Sequence, residues 1–387
     1  MRRPCGHIRQ RSPGSFEIRY RADARTVTTT IKGTRSDAEK ELRRRLRAVD
    51  LSEHVDPTRM TVREWLVQWL KTIRQEVSPK THERYAEIVN NSLIPALGAV
   101  PITKLTPTHI QAAHNAWATG GRRDGKAGGL SPLTRRYLHI LLKSALTRAV
   151  EQQVLARNPA DAFKRRLPKI ERKEMMTLTA DQQARLLEAL SNSRVYWPVL
   201  LALSTGMRRG EILALRWKNV ELERGVVRVV QSLEQTAKAV RFKDTKTRRS
   251  RAITLPAFAV EELCRLRRQQ AEELLQLGIR QTGETLVCPR ADGEPHQPRS
   301  LTQGFSRLVG RMKDIPRIRF HDLRHSHATT LLADGVHPKV AQERLGHSTI
   351  TTTMDLYSHV TDTMQADAAA RLDAAFRVAK ARPKGQT

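Results

Sequence analysis

Three times between residues 57 and 160 a hydroxyl residue is followed directly by proline: Ser78-Pro79, Thr106-Pro107 and Ser131-Pro132. Ser or Thr at a cap accepts a hydrogen bond from a first-turn amide, and Pro at the first helical position fixes φ where no N–H is needed. Each pair therefore opens a helix and excludes a central strand through that point. Thr61 with Glu64 is a further start, a capping box leading into Val62, Trp65, Leu66, Trp69 and Leu70 at helical spacing. Tyr85 and Ile88 follow the first proline, Ile110 and Ala113 the second. Tyr137, Leu141, Ala145 and Ala149 follow the third, in a longer helix expected to stop before Asn158-Pro159. Four such helices predict a compact bundle over residues 57–162, with Gly120 to Gly129 as a loop between the third and fourth. Trp65 and Trp69 lie on the apolar face and read as core rather than as platforms for stacked bases.

The flanking regions read differently. Over residues 14–50, Phe16, Ile18 and Tyr20 alternate with polar neighbours, and Val27, Thr29 and Ile31 repeat the pattern after a turn near Asp23. A helix is expected from Ser36, with Glu39 completing its capping box and Ala38, Leu42, Leu46 and Val49 on one face. Arg43, Arg44, Arg45 and Arg47 decorate that helix, either as a solvated face or as DNA contacts. The segment Phe163 to Lys173, containing Lys164, Arg165, Arg166 and Lys169, reads as a basic linker suited to lying along phosphates. Beyond it, a helix opens at Thr179 with Gln182 at the capping-box position. Val226–Val230, Val240–Phe242 and Ala252–Leu255 are strand candidates, and helices dominate after Pro256. The expected organisation is 1–56, a ββ(β)α module; 57–162, a helical bundle; 163–173, the linker; 174–365, a mixed α/β domain; and 366–387, a C-terminal helix and tail.

Charge narrows the function. Lys plus Arg is 69 and Asp plus Glu is 39, so the formal charge is 69 − 39 = +30, which makes a polyanion the first partner to consider. A hydrophobic fraction of 39% supports ordinary cores. No apolar run approaches the ~18 residues of a membrane helix. Cys5, Cys264 and Cys288 are too scattered for a disulfide framework or a Cys-based zinc site. These features predict an intracellular, soluble, nucleoid-associated DNA-binding protein of the cytoplasm.

Reactive residue types concentrate in three stretches of the last domain: Ser204-Thr205-Gly206-Met207-Arg208-Arg209-Gly210-Glu211, His321-Asp322-Leu323-Arg324-His325, and Leu345-Gly346-His347-Ser348 leading to Tyr357. His-Asp-x-x-His imitates the zinc-protease pattern, but Arg324 would set a permanent cation beside the metal, and Asp is shorter than the Glu base that pattern uses. The residues suit phosphodiester chemistry better. A tyrosine phenol titrates near pH ~10 and needs activation. Arg208 and Arg324, with Glu211 orienting the former, would clamp the non-bridging oxygens with planar, permanently charged forks.

Together these stretches resemble the tyrosine recombinase family, in particular phage-type integrases, over residues 57–365. Thr205 to Glu211 with Leu215-Arg216-Trp217 looks like the first-arginine box. Thr245-Lys246-Thr247 with Ser250-Arg251 resembles the hairpin carrying the family's lysine. His321 to His325 matches the His-x-Leu-Arg-His box. Leu345 to Tyr357 and on through Ser358-His359-Val360 looks like the last histidine and the nucleophile. The interval from His347 to Tyr357 is one residue longer than in many members, as in a subset of integrases. Residues 1–56 resemble, more weakly, the arm-site-binding domain that integrases carry in front.

The resemblance implies a mainly α fold with a small β component (α+β) and a catalytic set of Arg208, Lys246, His321, Arg324, His347 and the nucleophile Tyr357. In that set His347 donates to the phosphate, His321 takes the phenolic proton and Lys246 is the general acid. Arg209 and His325 read as bystanders. The implied reaction forms a 3′-phosphotyrosine link without metal, cofactor or ATP. The implied assembly has the bundle and catalytic domain clamping opposite faces of the duplex. Four protomers would act on core and arm attachment sites, with a directionality factor and a DNA-bending host protein as possible partners. Ala368, Leu372 and Phe376 would place a C-terminal helix on a neighbouring protomer. A relaxing topoisomerase with the same catalytic set needs no arm-like module, and a silent architectural protein would show a gap in that set; both are the lesser readings.

Overall fold

The computed structural model describes residues 6–22, 25–50, 59–170, 175–244, 250–357 and, in the C-terminal segment, 369–370, 372–374 and 376–377. The chain divides into two compact units, Met1–Arg172 and Lys173–Thr387. Among the described residues no helix is long and apolar enough to cross a membrane.

The first unit opens with an antiparallel sheet, β1 (Gly6–Ser12), β2 (Ser15–Ala22) and β3 (Arg25–Lys32), with β2 central. Phe16, Ile18 and Tyr20 stand opposite Ile31, Thr29 and Val27 and share one core with Ala38 and Leu42 of α1 (Arg35–Asp50). β1 escapes the alternation rule because it is an edge strand on which only Ile8 is even half-buried. The cap of α1 also differs from the sequence expectation. Thr34 Oγ1 accepts from Asp37 N at 3.3 Å and Asp37 Oδ2 accepts from Thr34 N at 2.9 Å, so the capping pair is Thr34 and Asp37. Ser36 lies inside the first turn. Of the arginines on this helix, Arg43, Arg44 and Arg47 are exposed, whereas Arg45 turns inward. It bonds Glu41 at 2.8 Å and reaches the Tyr20 hydroxyl at 3.5 Å, which commits it to the module's own packing.

The bundle follows as α2 (Val62–Ile73), α3 (Pro79–Ile88), α4 (Ile94–Leu97), α5 (Pro107–Thr119) and α6 (Pro132–Glu151). Each expected cap forms: Ser78, Thr106 and Ser131 accept from the third-residue amides at 3.2, 3.4 and 3.2 Å. Trp65 and Trp69 are buried, and Trp65 Nε1 donates to Ala145 O at 2.9 Å. Between α3 and α4 the helix widens into a π-turn, Val89–Leu93. Pro95 has no N–H to give, and the ladder shifts register just before it. After α6 a 3₁₀ segment, Pro159–Arg166, returns to the bundle. Phe163 is 2% exposed and stacks on the His114 ring at 4.5 Å. The basic segment expected to be linker from residue 163 therefore begins as bundle core. Lys164, Arg165 and Arg166 close that turn, and Lys169 beyond it is exposed.

The second unit packs α7 (Ala180–Leu190), α8 (Tyr196–Thr205) and α9 (Arg209–Ala214) before its β region. Thr179 and Gln182 form the expected box on α7. β4 (Val220–Glu221), β5 (Val226–Val229) and β8 (Arg251–Thr254) make one antiparallel sheet, while β6 (Gln231–Gln235) and β7 (Val240–Asp244) pair as a separate hairpin. The polar β6 carries no apolar alternation, hence its absence from the sequence reading. Its buried Glu234 is balanced by Arg241 at 2.7 Å and Lys243 at 2.5 Å across the hairpin. α10 (Ala257–Gln276), α11 (Pro298–Val309), α12 (Asp322–Ala333), α13 (Pro338–Leu345) and α14 (Ile350–Tyr357) complete the unit. α8 is buried on all sides, with Val199, Leu200 and Leu201 in a core shared with Ile212, Val227, Ile253, Phe305 and Leu323. Its rigid C-terminus fixes the site.

Candidate active site

α8 ends at Gly206, whose φ of 67° is left-handed. A Cβ there would fall 2.6 Å from both the His327 ring and the Leu345 side chain, so conformation and space both demand glycine. Met207 is buried and Arg208 follows in extended conformation as the N-cap of α9. Glu211, 4% exposed, accepts from the Arg208 amide at 2.9 Å and from its Nη1 at 3.0 Å. Arg251, at the start of β8, reaches the same carboxylate at 2.6 and 3.2 Å. Burial works against the charge on Glu211, but the Arg251 and Arg208 bonds outweigh it and hold the carboxyl below its ordinary range.

Arg324 comes from α12 and is 3% exposed. Its Nη1 donates to Gly206 O at 2.6 Å and its Nη2 to Leu345 O at 2.7 Å. Arg208 Nη2 donates to the next carbonyl, Gly346 O, at 3.0 Å. Two adjacent carbonyls at the C-terminus of α13 thus hold both guanidiniums. Burial, then the charge of Arg208, pushes Arg324 down to about 9, which leaves it a cation at neutral pH. His347 follows Gly346, and its Nδ1 lies 2.9 Å from Thr353 Oγ1 on α14, where Thr353 is fully buried. Burial and the charges of Arg324 and Arg208 lower His347 to about 4. His321, the N-cap of α12, is lowered to about 4 by burial and by His325 and Arg324. Its ring meets that of His325 edge-on at 5.0 Å. Asp322 is spent on Arg319, at 2.8 and 3.1 Å.

Arg208 and Arg324 are therefore brought together with His347 by direct bonds to one short stretch of chain, Glu211 joining through Arg208, with His321 at the start of the helix bearing Arg324. Tyr357 is the last residue of α14, one turn beyond Thr353. Lys246 falls in 245–249, outside the described residues, in the connection between β7 and β8. Sequence reasoning gave no supporting role to Arg251 or Thr353: the Arg251 partner, Glu211, lies 40 residues away, and Thr353 meets His347 only through the turn between α13 and α14. Among the described residues no three His, Cys, Asp or Glu side chains converge where a metal could sit. The site concentrates guanidinium forks and neutral imidazoles, with Glu211 as the carboxylate that orients the first fork. Such an arrangement recognises a phosphodiester.

Comparison with known proteins agrees with this chemistry. Residues 176–364 match the phage integrase family, and residues 61–118 match the phage integrase N-terminal SAM-like domain. A XerC-like tyrosine recombinase of Caldanaerobacter subterraneus is 28% identical over 363 residues, covering 89% of this chain and 90% of that protein. The Tn1549 transposon integrase bound to transposon right-end DNA superposes with a TM-score of 0.66 at 22% identity, over 81% of this chain and 100% of that one. A lambda integrase tetramer bound to a Holliday junction gives 0.58 at 20% identity, over 90% and 94%. The chain belongs to the phage integrase family of tyrosine recombinases. It is a DNA strand-exchange enzyme, a site-specific recombinase of integrase type.

Proposed function

We propose that Tyr357 is the nucleophile and that Arg208, Arg324, His347, His321 and Lys246 serve it in defined roles. The phenolic oxygen attacks the scissile phosphorus, the bond to the 5′-oxygen breaks, and a 3′-phosphotyrosine and a free 5′-hydroxyl result. His321, unprotonated at neutral pH, takes the phenolic proton directly or through water. Lys246 gives a proton to the departing 5′-oxygen. Arg208 and Arg324 bind the two non-bridging oxygens, and His347 donates a further bond from Nε2 while Thr353 occupies Nδ1. Attack by a 5′-hydroxyl from the other duplex reverses these steps and joins the exchanged strands. One phosphodiester is traded for another, so neither ATP nor a metal is needed. The observation that carries the reading is the pair of guanidiniums held on Leu345 O and Gly346 O beside His347.

The reading extends to partners. Four protomers act on two core sites, as the lambda integrase tetramer on its junction supports. Residues 1–56 bind a separate arm site, and a directionality factor and a DNA-bending host protein can bias the outcome. The reaction takes place on nucleoid DNA in the cytoplasm. Tyr357→Phe tests the chemistry: it should leave DNA affinity near that of the wild type and form no covalent adduct on a nicked suicide substrate. An adduct from that variant would assign the nucleophile elsewhere.

A further inference from the structure

Below the two arginines lies a pair, the buried His327 and the half-buried Arg344, that makes no direct side-chain bond to Arg208, Arg324 or His347 and does not belong to the hydrophobic core. His327 is 6% exposed on α12 and packs under the Gly206 turn. Its Nδ1 lies 2.6 Å from Leu203 O, at the end of α8, and Arg344 Nε on α13 points at its Nε2 from 3.1 Å. An arginine Nε only donates, so Nε2 must accept, and Nδ1 must carry the proton given to Leu203 O. The ring is neutral in a single tautomer, in keeping with a basicity that burial and the Arg344 charge lower to about 4. Arg344 also donates from Nη2 to Ser204 O at 2.9 Å, and its own carbonyl accepts from Arg251 Nε at 3.0 Å. Arg251 holds Glu211, and Glu211 holds Arg208. Leu345 and Gly346, whose carbonyls hold Arg324 and Arg208, directly follow Arg344.

We infer that His327 and Arg344 form a positioning pair that sets the spacing and tilt of the Arg208 and Arg324 forks. The inference rests on the clamp role proposed above for those arginines. His327 joins three elements at one point: the end of α8 that delivers Gly206 and Arg208, the helix that delivers Arg324, and the end of α13 on which both forks rest. Without it, one of the bonds that fix α13 against α8 is lost, Arg344 to Ser204 O remaining, and the forks no longer match the two phosphate oxygens together. A misplacement of about 1 Å in such a site is enough to cost on the order of 10²-fold in rate.

The test separates positioning from folding and from the clamp itself. His327→Asn keeps a donor for Leu203 O, but its shorter side chain places no acceptor at the Nε2 position for Arg344; Arg344→Met removes the other half together with the bond to Ser204 O; His327→Phe removes both bonds of the ring. Each full-length variant is compared by DNA dissociation constant, by thermal midpoint and by single-turnover cleavage of a nicked suicide substrate at saturating protein. Cleavage should fall ~30–100-fold in each, in line with the cost of misplaced groups, with affinity within about threefold of wild type. The double variant His327→Asn/Arg344→Met should be no slower than Arg344→Met alone, because the contact that His327→Asn breaks is already absent there. A methylphosphonate at the scissile position removes one charged oxygen, so the deficit should shrink on that substrate if the forks are misaligned. Near-normal cleavage by folded Arg344→Met and His327→Asn overturns the inference, as does an equal deficit on both substrates. Arg324→Lys is the control: if it also cleaves normally, the clamp reading has failed, whereas a dead control beside active pair variants removes the positioning claim alone.

Discussion

Thr353 shows how much of the chemistry rests on a residue with no reactivity of its own. Its hydroxyl sits 2.9 Å from His347 Nδ1 in a fully buried position, one turn before Tyr357 on α14. If it donates there, Nε2–H is left for the phosphate, and one hydrogen bond ties the histidine to the helix that ends in Tyr357, the nucleophile we propose. Thr353→Val keeps the shape and removes the hydroxyl. Cleavage should fall by about fivefold to tenfold, the worth of a single hydrogen bond of ~1 kcal/mol, and Thr353→Ser should restore it. In a His347→Ala background the same change should have no effect, and an undiminished loss there would show that Thr353 acts through packing. Arg45 is the opposite case. Its sequence context is the same as that of Arg43 and Arg44, but it is half-buried and reaches the Tyr20 hydroxyl, whereas Arg43 and Arg44 stay exposed, Arg44 sharing the Glu41 carboxylate.

At the scale of elements, capping decides where helices begin more firmly than hydrophobic period does. Thr61, Ser78, Thr106, Ser131 and Thr179 all cap as their sequence context indicates. At α1 two overlapping signals compete, Thr34 with Asp37 and Ser36 with Glu39. The first wins because Gly33 N still bonds Gly14 O at 2.9 Å, which ends the sheet one residue before the cap. Thr34→Ala should therefore lower the opening free energy of the α1 amides by about 1 kcal/mol, measured by hydrogen exchange in the full chain. Ser36→Ala, now a helix-interior change, should cost nothing measurable. The reverse ranking would return the cap to Ser36.

For the whole molecule, pH is the informative variable. His114, His139, His296, His321, His325, His327 and His347 all have basicity lowered first of all by burial. The unfolded chain takes up protons near pH 6.5, whereas the folded chain resists until about 4 at His114, His321, His327 and His347. Between those limits the unfolded state binds more protons, so stability falls as pH falls. The loss should start before the paired carboxylates, Glu211 and Glu41 among them, begin to titrate lower still. The urea midpoint should be distinctly lower at pH 5.5 than at pH 7.5. An unchanged midpoint would mean the histidines are not buried neutral. Deleting residues 1–56 is the complementary experiment on organisation. Core-site cleavage should survive while integration between full attachment sites collapses, because the arm contact raises effective concentration; full activity of the truncated chain would end the arm-site reading.

By itself the sequence determined the helix starts of the bundle at its capping residues, the N-terminal β-containing module and the three stretches in which reactive residue types concentrate. These follow from neighbours within a turn or two: a hydroxyl before proline, a carboxylate three residues on, arginine beside glycine. Only the tertiary structure decided how those residues meet. Arg208 rests on a carbonyl 138 residues away and Arg324 on carbonyls 118 and 21 residues away. His327 and Arg344 look like ordinary helix residues until α8, α12 and α13 converge on them. Local periodicity reports which face of a helix is apolar. It says nothing of which distant carbonyl a buried guanidinium must find, because that bond exists only once the core has packed and excluded the water that would otherwise satisfy it.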